Sequence, residues 1–134
     1  KGLTNVAFLR TQIELLDHCF DAGEVAEIWI TFPDPQIKHT RIKHRLTHPN
    51  FLMRYQSVMQ MDGFIHLKTD SEFLHGYTIG LLQLMGFKID KVMHDIDKQL
   101  KPGEESLLQE VKTYYEEKFR SEGKKITYIR FSFA

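Results

Sequence analysis

The chain has 134 residues, 42% of them hydrophobic and 27% charged, the composition of one soluble globular domain that buries roughly two-thirds of its unfolded surface without a disulfide or metal staple. No apolar run reaches the ~20 residues of a membrane span and no signal-peptide pattern opens the chain, which points to a cytoplasmic protein. Formal charge balances at 18 basic against 18 acidic residues, so net charge alone neither requires nor excludes a nucleic-acid partner.

The distribution of charge is more informative. Residues 35–61 contain no Asp or Glu, while Lys38, Arg41, Lys43, Arg45 and Arg54 supply cations and His39, His44 and His48 add titratable donors. Over residues 95–117 the balance reverses, with Asp95, Asp97, Glu104, Glu105, Glu110, Glu116 and Glu117 outnumbering the lysines. Such a division suits a protein that holds a polyanion at one place and reads donor groups at another. Cys19, the only cysteine, lies in an apolar stretch and reads as a small buried hydrophobe in a reducing compartment.

In chain order, residues 6–9 form a short apolar run that reads as a strand, and Ile13, Leu16 and Phe20 then recur at helical spacing before the turn Asp21-Ala22-Gly23. Residues 25–32 are β-branched and aromatic and stop at Pro33, as a central strand of a parallel sheet would. Residues 33–46 carry two prolines and the basic cluster without periodicity and read as a loop. Phe51, Tyr55, Val58 and Met59 mark a helix face with Pro49 near its first turn, closed by Asp62-Gly63. A second strand over 64–69 leads to a helix capped by Asp70 or Ser71, with Phe73, Tyr77, Leu81 and Leu84 as its apolar face before Gly86. Residues 87–93 have a weaker strand pattern, a short helix opens at Thr113 and ends near Gly123, and 126–133 close the chain as a strand.

Strands alternating with helices give an open, doubly wound α/β sheet, whose ligands bind beyond the carboxyl ends of the strands. Residues 33–46 and 69–71 both fall at that edge. Chemistry is therefore expected there.

Four motifs in order carry a resemblance: Phe32-Pro33-Asp34-Pro35, the basic run Lys38 to Leu46, Lys68-Thr69-Asp70, and Thr113-Tyr114-Tyr115-Glu116. Together they resemble the bacterial tRNA (guanine-N7-)-methyltransferase family over essentially the whole chain. The resemblance implies a Rossmann-like class I methyltransferase sheet, mostly parallel with an antiparallel C-terminal strand, that uses S-adenosylmethionine to methylate N7 of a guanine in the tRNA variable loop. It assigns Asp34 and Asp70 to the catalytic site, and Lys38, Asp70, Thr113, Tyr114, Tyr115 and Glu116 to substrate. It also gives Thr40, Arg41, Ile42, Lys43, His44 and Arg45 to RNA contact, and Gln12 and Asp34 to the cofactor. The chain departs from the family at Gln36, where many members have Trp, at the loop positions of Arg41 and His44, and at Gln12, where many have an acid. No Gly-x-Gly pattern occurs and the chain opens on Lys1-Gly2. A partial domain over residues 1–134, with the first strands and most of the cofactor site missing, is the expectation, as a monomer or homodimer.

The residue types suit that chemistry. Guanine N7 attacks a methyl group through a free lone pair and needs no general base, so positioning, worth ~7–11 kcal/mol, carries the catalysis. A carboxylate from Asp34, Asp70 or Glu116 accepts the N–H donors of the Watson–Crick edge. If Lys38, Arg41, Lys43 and Arg45 all met phosphates, log affinity would fall with log salt at a slope of roughly −3. Each motif also has a plainer reading: Asp34 as a turn acid between prolines, Asp70 as an N-cap, residues 113–116 as a capping box, and the basic run as a solvated surface. The histidines have no metal-ligand spacing, and Trp29 reads as core. Two other functional classes stand beside the leading one: a non-catalytic RNA-binding or structural module, and a related methyltransferase acting on a small molecule or protein.

Overall fold

The computed structural model describes residues 2–99 and 114–133. Four strands, β1 (Val25–Thr31), β2 (Met59–Thr69), β3 (Lys88–Met93) and β4 (Thr127–Ser132), form one sheet in the order β1-β2-β4-β3. β1 and β2 pair in parallel, and β4 runs antiparallel to both β2 and β3. Three strands thus point one way with a reversed β4 inserted among them, the mostly parallel Rossmann-like sheet expected of the sequence. The helices are α1 (Leu16–Cys19), α2 (Pro49–Val58), α3 (Glu72–Met85), α4 (Ile96–Gln99) and α5 (Tyr114–Ser121), with 3-10 turns over Ile13–Leu15 and His39–His44. None among the described residues is long and apolar enough to cross a membrane.

Local chemistry sets the helix ends. Pro49 opens α2, and the Nδ1 of His48 accepts from the Asn50 amide at 3.1 Å. Ser71, the second of the two capping candidates, caps α3 by accepting from the Leu74 amide at 3.1 Å. Gly86 at φ 75 ends α3 in the left-handed conformation, with the Phe87 amide donating back to Leu82 O.

One face of the sheet buries Ile30, Ile65, Leu67, Ile129 and Phe131 against Phe51, Leu52, Tyr55 and Val58 of α2 and Leu74 and Leu82 of α3. The opposite face holds a smaller cluster of Met93, Ile96, Ile126 and Tyr128, with Phe32 and Phe119 packed on it. Along β2, Ile65 and Leu67 enter the large core while His66 and Lys68 belong to the other face, where both are nonetheless buried.

The structure corrects several sequence expectations. Residues 6–9 form no strand and are exposed, and no strand among the described residues pairs with them. β1 is an edge of the described sheet rather than a central strand, and Trp29 is 37% exposed, stacked on His66 at 3.9 Å instead of buried in the core. Cys19 is exposed. Asp62-Gly63 does not end α2: the helix stops at Val58 and β2 begins at once with Met59. The register jumps from Val25↔Met59 to Glu27↔Phe64, so residues 60–63 bow out of the ladder. On α3 the buried positions are Leu74, His75, Thr78 and Leu82, while Phe73 is 44% and Leu84 85% exposed. The rotation follows from specific partners: Thr78 hydrogen-bonds Thr47 at 2.8 Å, His75 meets His94, and Phe73 and Tyr77 turn toward Arg45.

Gly63 makes the bowed segment possible. A Cβ there would lie 2.6 Å from the main-chain oxygen of Ala26 on β1. Because backbone cannot yield as a side-chain tip does, Gly63→Ala is expected to cost about 1–3 kcal/mol, read as a lower denaturation midpoint with an unchanged slope against denaturant.

Candidate active site

The site begins where β1 leaves the sheet. The Phe32 amide donates to Lys68 O at 2.8 Å, one step beyond the Thr31↔Lys68 pair. Phe32 then takes φ 50, a left-handed conformation that aromatic residues rarely adopt. This turns the chain out of the sheet plane, and the Phe32 ring lands on Phe119 of α5 at 5.7 Å. Asp34 follows, exposed, with its Oδ1 accepting from the Gln36 amide at 2.9 Å. Gln36 is itself at φ 49. Its Oε1 accepts from Arg41 Nε at 3.2 Å and its main-chain oxygen from Arg45 Nε at 3.0 Å. Gln36 is therefore the knot tying the Asp34 turn to the basic segment.

That segment is not an irregular loop. Residues His39–His44 form a 3-10 helix that leaves Lys38, Thr40, Arg41, Lys43 and His44 exposed and Ile42 half-buried. Arg45 departs from its expected role. It is 4% exposed, donates to Gln36 O and Ile37 O, and lies with its guanidinium 4.7 Å from the Phe73 ring and 4.5 Å from the Tyr77 ring. A cation held between two aromatic faces and two carbonyls fastens the segment to α3 and cannot reach a phosphate without leaving that setting. Asp34, Lys38 and Arg41 share the lining of an open cleft of about 390 Å³.

At the end of β2 the chain places two more acids. Asp70, its side chain 19% exposed, pairs with Lys124 at 3.4 Å, and Lys124 lies 4.6 Å from the Phe119 ring. Glu116, on α5, is wholly buried. Its Oε2 accepts from Lys68 Nζ at 2.8 Å and its Oε1 from Arg120 Nη2 at 2.9 Å and Nε at 3.3 Å. Arg120 also pairs with Asp97 of α4, and these contacts, first the hydrogen bond to Asp97, raise its already high pKa. Thr113 lies outside the described residues, as do the side chains of Tyr114 and Tyr115.

Asp34, Asp70 and Glu116 are thus all tied to the carboxyl end of β2, through the Lys68 carbonyl, the Lys68-Thr69-Asp70 sequence and the Lys68 ammonium. Gln12 stands apart on the exposed segment before α1. Its neighbour Ile13 and Asp34's neighbour Pro33 line one apolar groove of about 480 Å³ along β1, whereas neither Gln12 nor Asp34 is among its lining residues. Sequence reading missed Lys68, Arg120 and Lys124. Arg120 left a signal, since Glu116 and Arg120 stand at i,i+4 on a helix. So did Lys68, a charge in an otherwise apolar strand end.

A further pair sits at this edge. His75 Nε2 meets His94 Nδ1 at 3.1 Å, and burial, then His94, lower the His75 pKa to about 4.

A doubly wound sheet with its polar groups gathered beyond the carboxyl strand ends defines a ligand-binding domain of the Rossmann-like class. Residues 1–129 match the family model described as "Putative methyltransferase", and the chain belongs to that methyltransferase family. It is 57% identical over 98% of its length to a tRNA (guanine-N(7)-)-methyltransferase of Christiangramia forsetii and 48% identical over 98% to one of Porphyromonas gingivalis. It is 41% identical over 97% to a protein of the same name from Bacteroides thetaiotaomicron. The chain spans 58%, 52% and 50% of those three relatives, respectively.

The buried imidazole makes stability depend on pH. His75 titrates at about 4 when folded against 6.5 ordinarily, so below about 6.5 the unfolded state binds more protons, and stability is lost as pH falls from there toward 4. Melting temperature should drop between about pH 7.5 and about pH 5, and the drop should shrink in His75→Gln.

Proposed function

We propose that this chain forms the substrate-reading part of an enzyme that methylates N7 of a guanine in the tRNA variable loop, working in the cytoplasm. The observation that carries the reading is the tethering of Asp34, Asp70 and Glu116 to one strand end, beside a 3-10 helix bearing exposed Lys38, Arg41 and Lys43. The names of the relatives support it. S-adenosylmethionine, when bound, supplies the methyl group. Gln12 and Asp34, both exposed, carry side chains suited to hydrogen-bonding its polar groups.

The chain's own work is binding and orientation. Guanine presents N–H donors on the edge opposite N7, and carboxylates accept those donors at paired oxygens. An acid at the end of β2 therefore grips the base by the side that does not react, leaving N7 directed at the methyl donor. Drawing the base from its stack costs a few kcal/mol, which the polar pocket offsets. Adenine has an acceptor at N1 where guanine has a donor, so the same carboxylates reject it. The exposed Cys19 thiol, the only cysteine of the chain, suits a reducing compartment.

Methyl incorporation from labelled S-adenosylmethionine is the direct test, using the protein with its natural termini and tRNA transcripts bearing guanine or adenine at the variable-loop position. Incorporation is expected with guanine only and should fall by at least about a hundredfold in Asp70→Asn, the scale of losing an orienting group. A folded, cofactor-binding protein that modifies neither transcript would leave the non-catalytic RNA module or a small-molecule substrate in its place. Because Arg45 is sequestered, three loop cations remain, and log affinity for tRNA should fall with log salt at a slope of about −2 from that segment. Arg41→Gln should make the dependence shallower by about 0.7.

A further inference from the structure

Glu116 is fully buried, and each of its oxygens already holds a cation: Lys68 on Oε2, Arg120 on Oε1. A base cannot reach this carboxylate unless one of them moves. The two cations differ in a way that decides which. The Lys68 side chain is 4% exposed and rises from the middle of the sheet, so withdrawing it would strand a buried ammonium away from its counter-charge. Arg120 is 17% exposed and already bonded to a second carboxylate, Asp97, whose side chain is 58% exposed. It can leave Glu116 and keep an ion pair, and the Glu116–Lys68 pair left behind stays neutral.

We infer that Lys68 is a positioning residue that fixes the Glu116 carboxylate, and that the target guanine is admitted by exchange at Oε1, where Arg120 gives up Glu116 and remains on Asp97. The inference rests on the guanine-methylating reading above. Asp97 then belongs to the recognition step without touching the base: it supplies the place to which Arg120 retires. Lys124, paired with Asp70 at 3.4 Å and 46% exposed, leaves the neighbouring acid accessible throughout.

Steady-state kinetics on the protein with its natural termini and the guanine transcript test this, with KM for tRNA and kcat read separately. In Asp97→Ala, an exposed change that leaves the core intact, Glu116 is the one carboxylate left to Arg120 among the described residues. KM for tRNA should rise about tenfold with kcat within about twofold. Arg120→Met frees Oε1 without moving Glu116 and should keep kcat within about threefold, whereas Lys68→Met should lower kcat/KM by about a hundredfold or more. If Lys68→Met does not fold, the other two variants decide. A purely structural network predicts lowered melting temperatures in all three with kcat and KM unchanged per folded molecule. That result overturns the inference, as does a loss in Arg120→Met equal to that in Lys68→Met. Both leave the guanine specificity of the unaltered protein standing. An unaltered protein that methylates no transcript instead overturns the functional reading and this inference together.

Discussion

The buried bond between the Lys68 ammonium and the Glu116 carboxylate, 2.8 Å long, is what the rest of the site is built around. Taking both charges out of water is costly, and an apolar pair of similar volume would often stabilise a fold as well or better. What an apolar pair would not supply is direction. The ammonium ties α5 to the sheet at one atom, the Lys68 carbonyl anchors the departing β1 chain through the Phe32 amide, and the next residues lead into Asp70 and the Ser71 cap of α3. Three acids from separate parts of the sequence therefore take their positions from one residue. Among the described residues, Arg120 and Asp97 add a second cation and a second carboxylate to the Lys68–Glu116 pair.

The basic side of the site is organised by a different economy. A segment with two prolines and no apolar periodicity has little to bury, so its order must come from polar contacts. Gln36 and Arg45 provide them, with Arg45 set between Phe73 and Tyr77. One cation is given up to the fold so that three others are presented on a fixed surface. For the function proposed above the separation matters chemically, since phosphates and a guanine edge would demand opposite signs of charge. The segment's charges face solvent, while the carboxylate of Glu116 is shielded behind the sheet.

Much of this fold was legible in the sequence where periodicity reports burial. The strands at 25–31 and 127–132 and the presence of helices at 49–58 and 72–85 follow from apolar spacing, although α2 ends before Asp62-Gly63 and α3 buries a different face from the one expected. Errors arose where burial and periodicity part company. Residues 6–9 have the right composition for a strand and pair with none of the described ones. The bowed residues 60–63 break alternation, so β2 seemed to begin late. Phe73 on α3 looked like core because an aromatic that packs on a cation and one that packs on leucine have the same sequence signature. For the proposed site, motif order pointed to Asp34, Asp70 and Glu116. It could not tell an exposed arginine from a sequestered one, or show that a lysine in an apolar strand was the counter-charge of a glutamate 48 residues away.

The position of β4 has a consequence for how the protein is made. It follows every other described strand in sequence yet lies between β2 and β3. While the chain emerges from the ribosome, β3 has none of the other described strands beside it, and the polar backbone along one side of β2 stays open until β4 is synthesised. Buried Ile129 and Phe131 then close the sheet and seal its main core in a single late event. Non-local pairing of this kind folds slowly and leaves sticky edges exposed in the meantime, so the interval before β4 is made is the one in which the growing sheet is most open to wrong pairing.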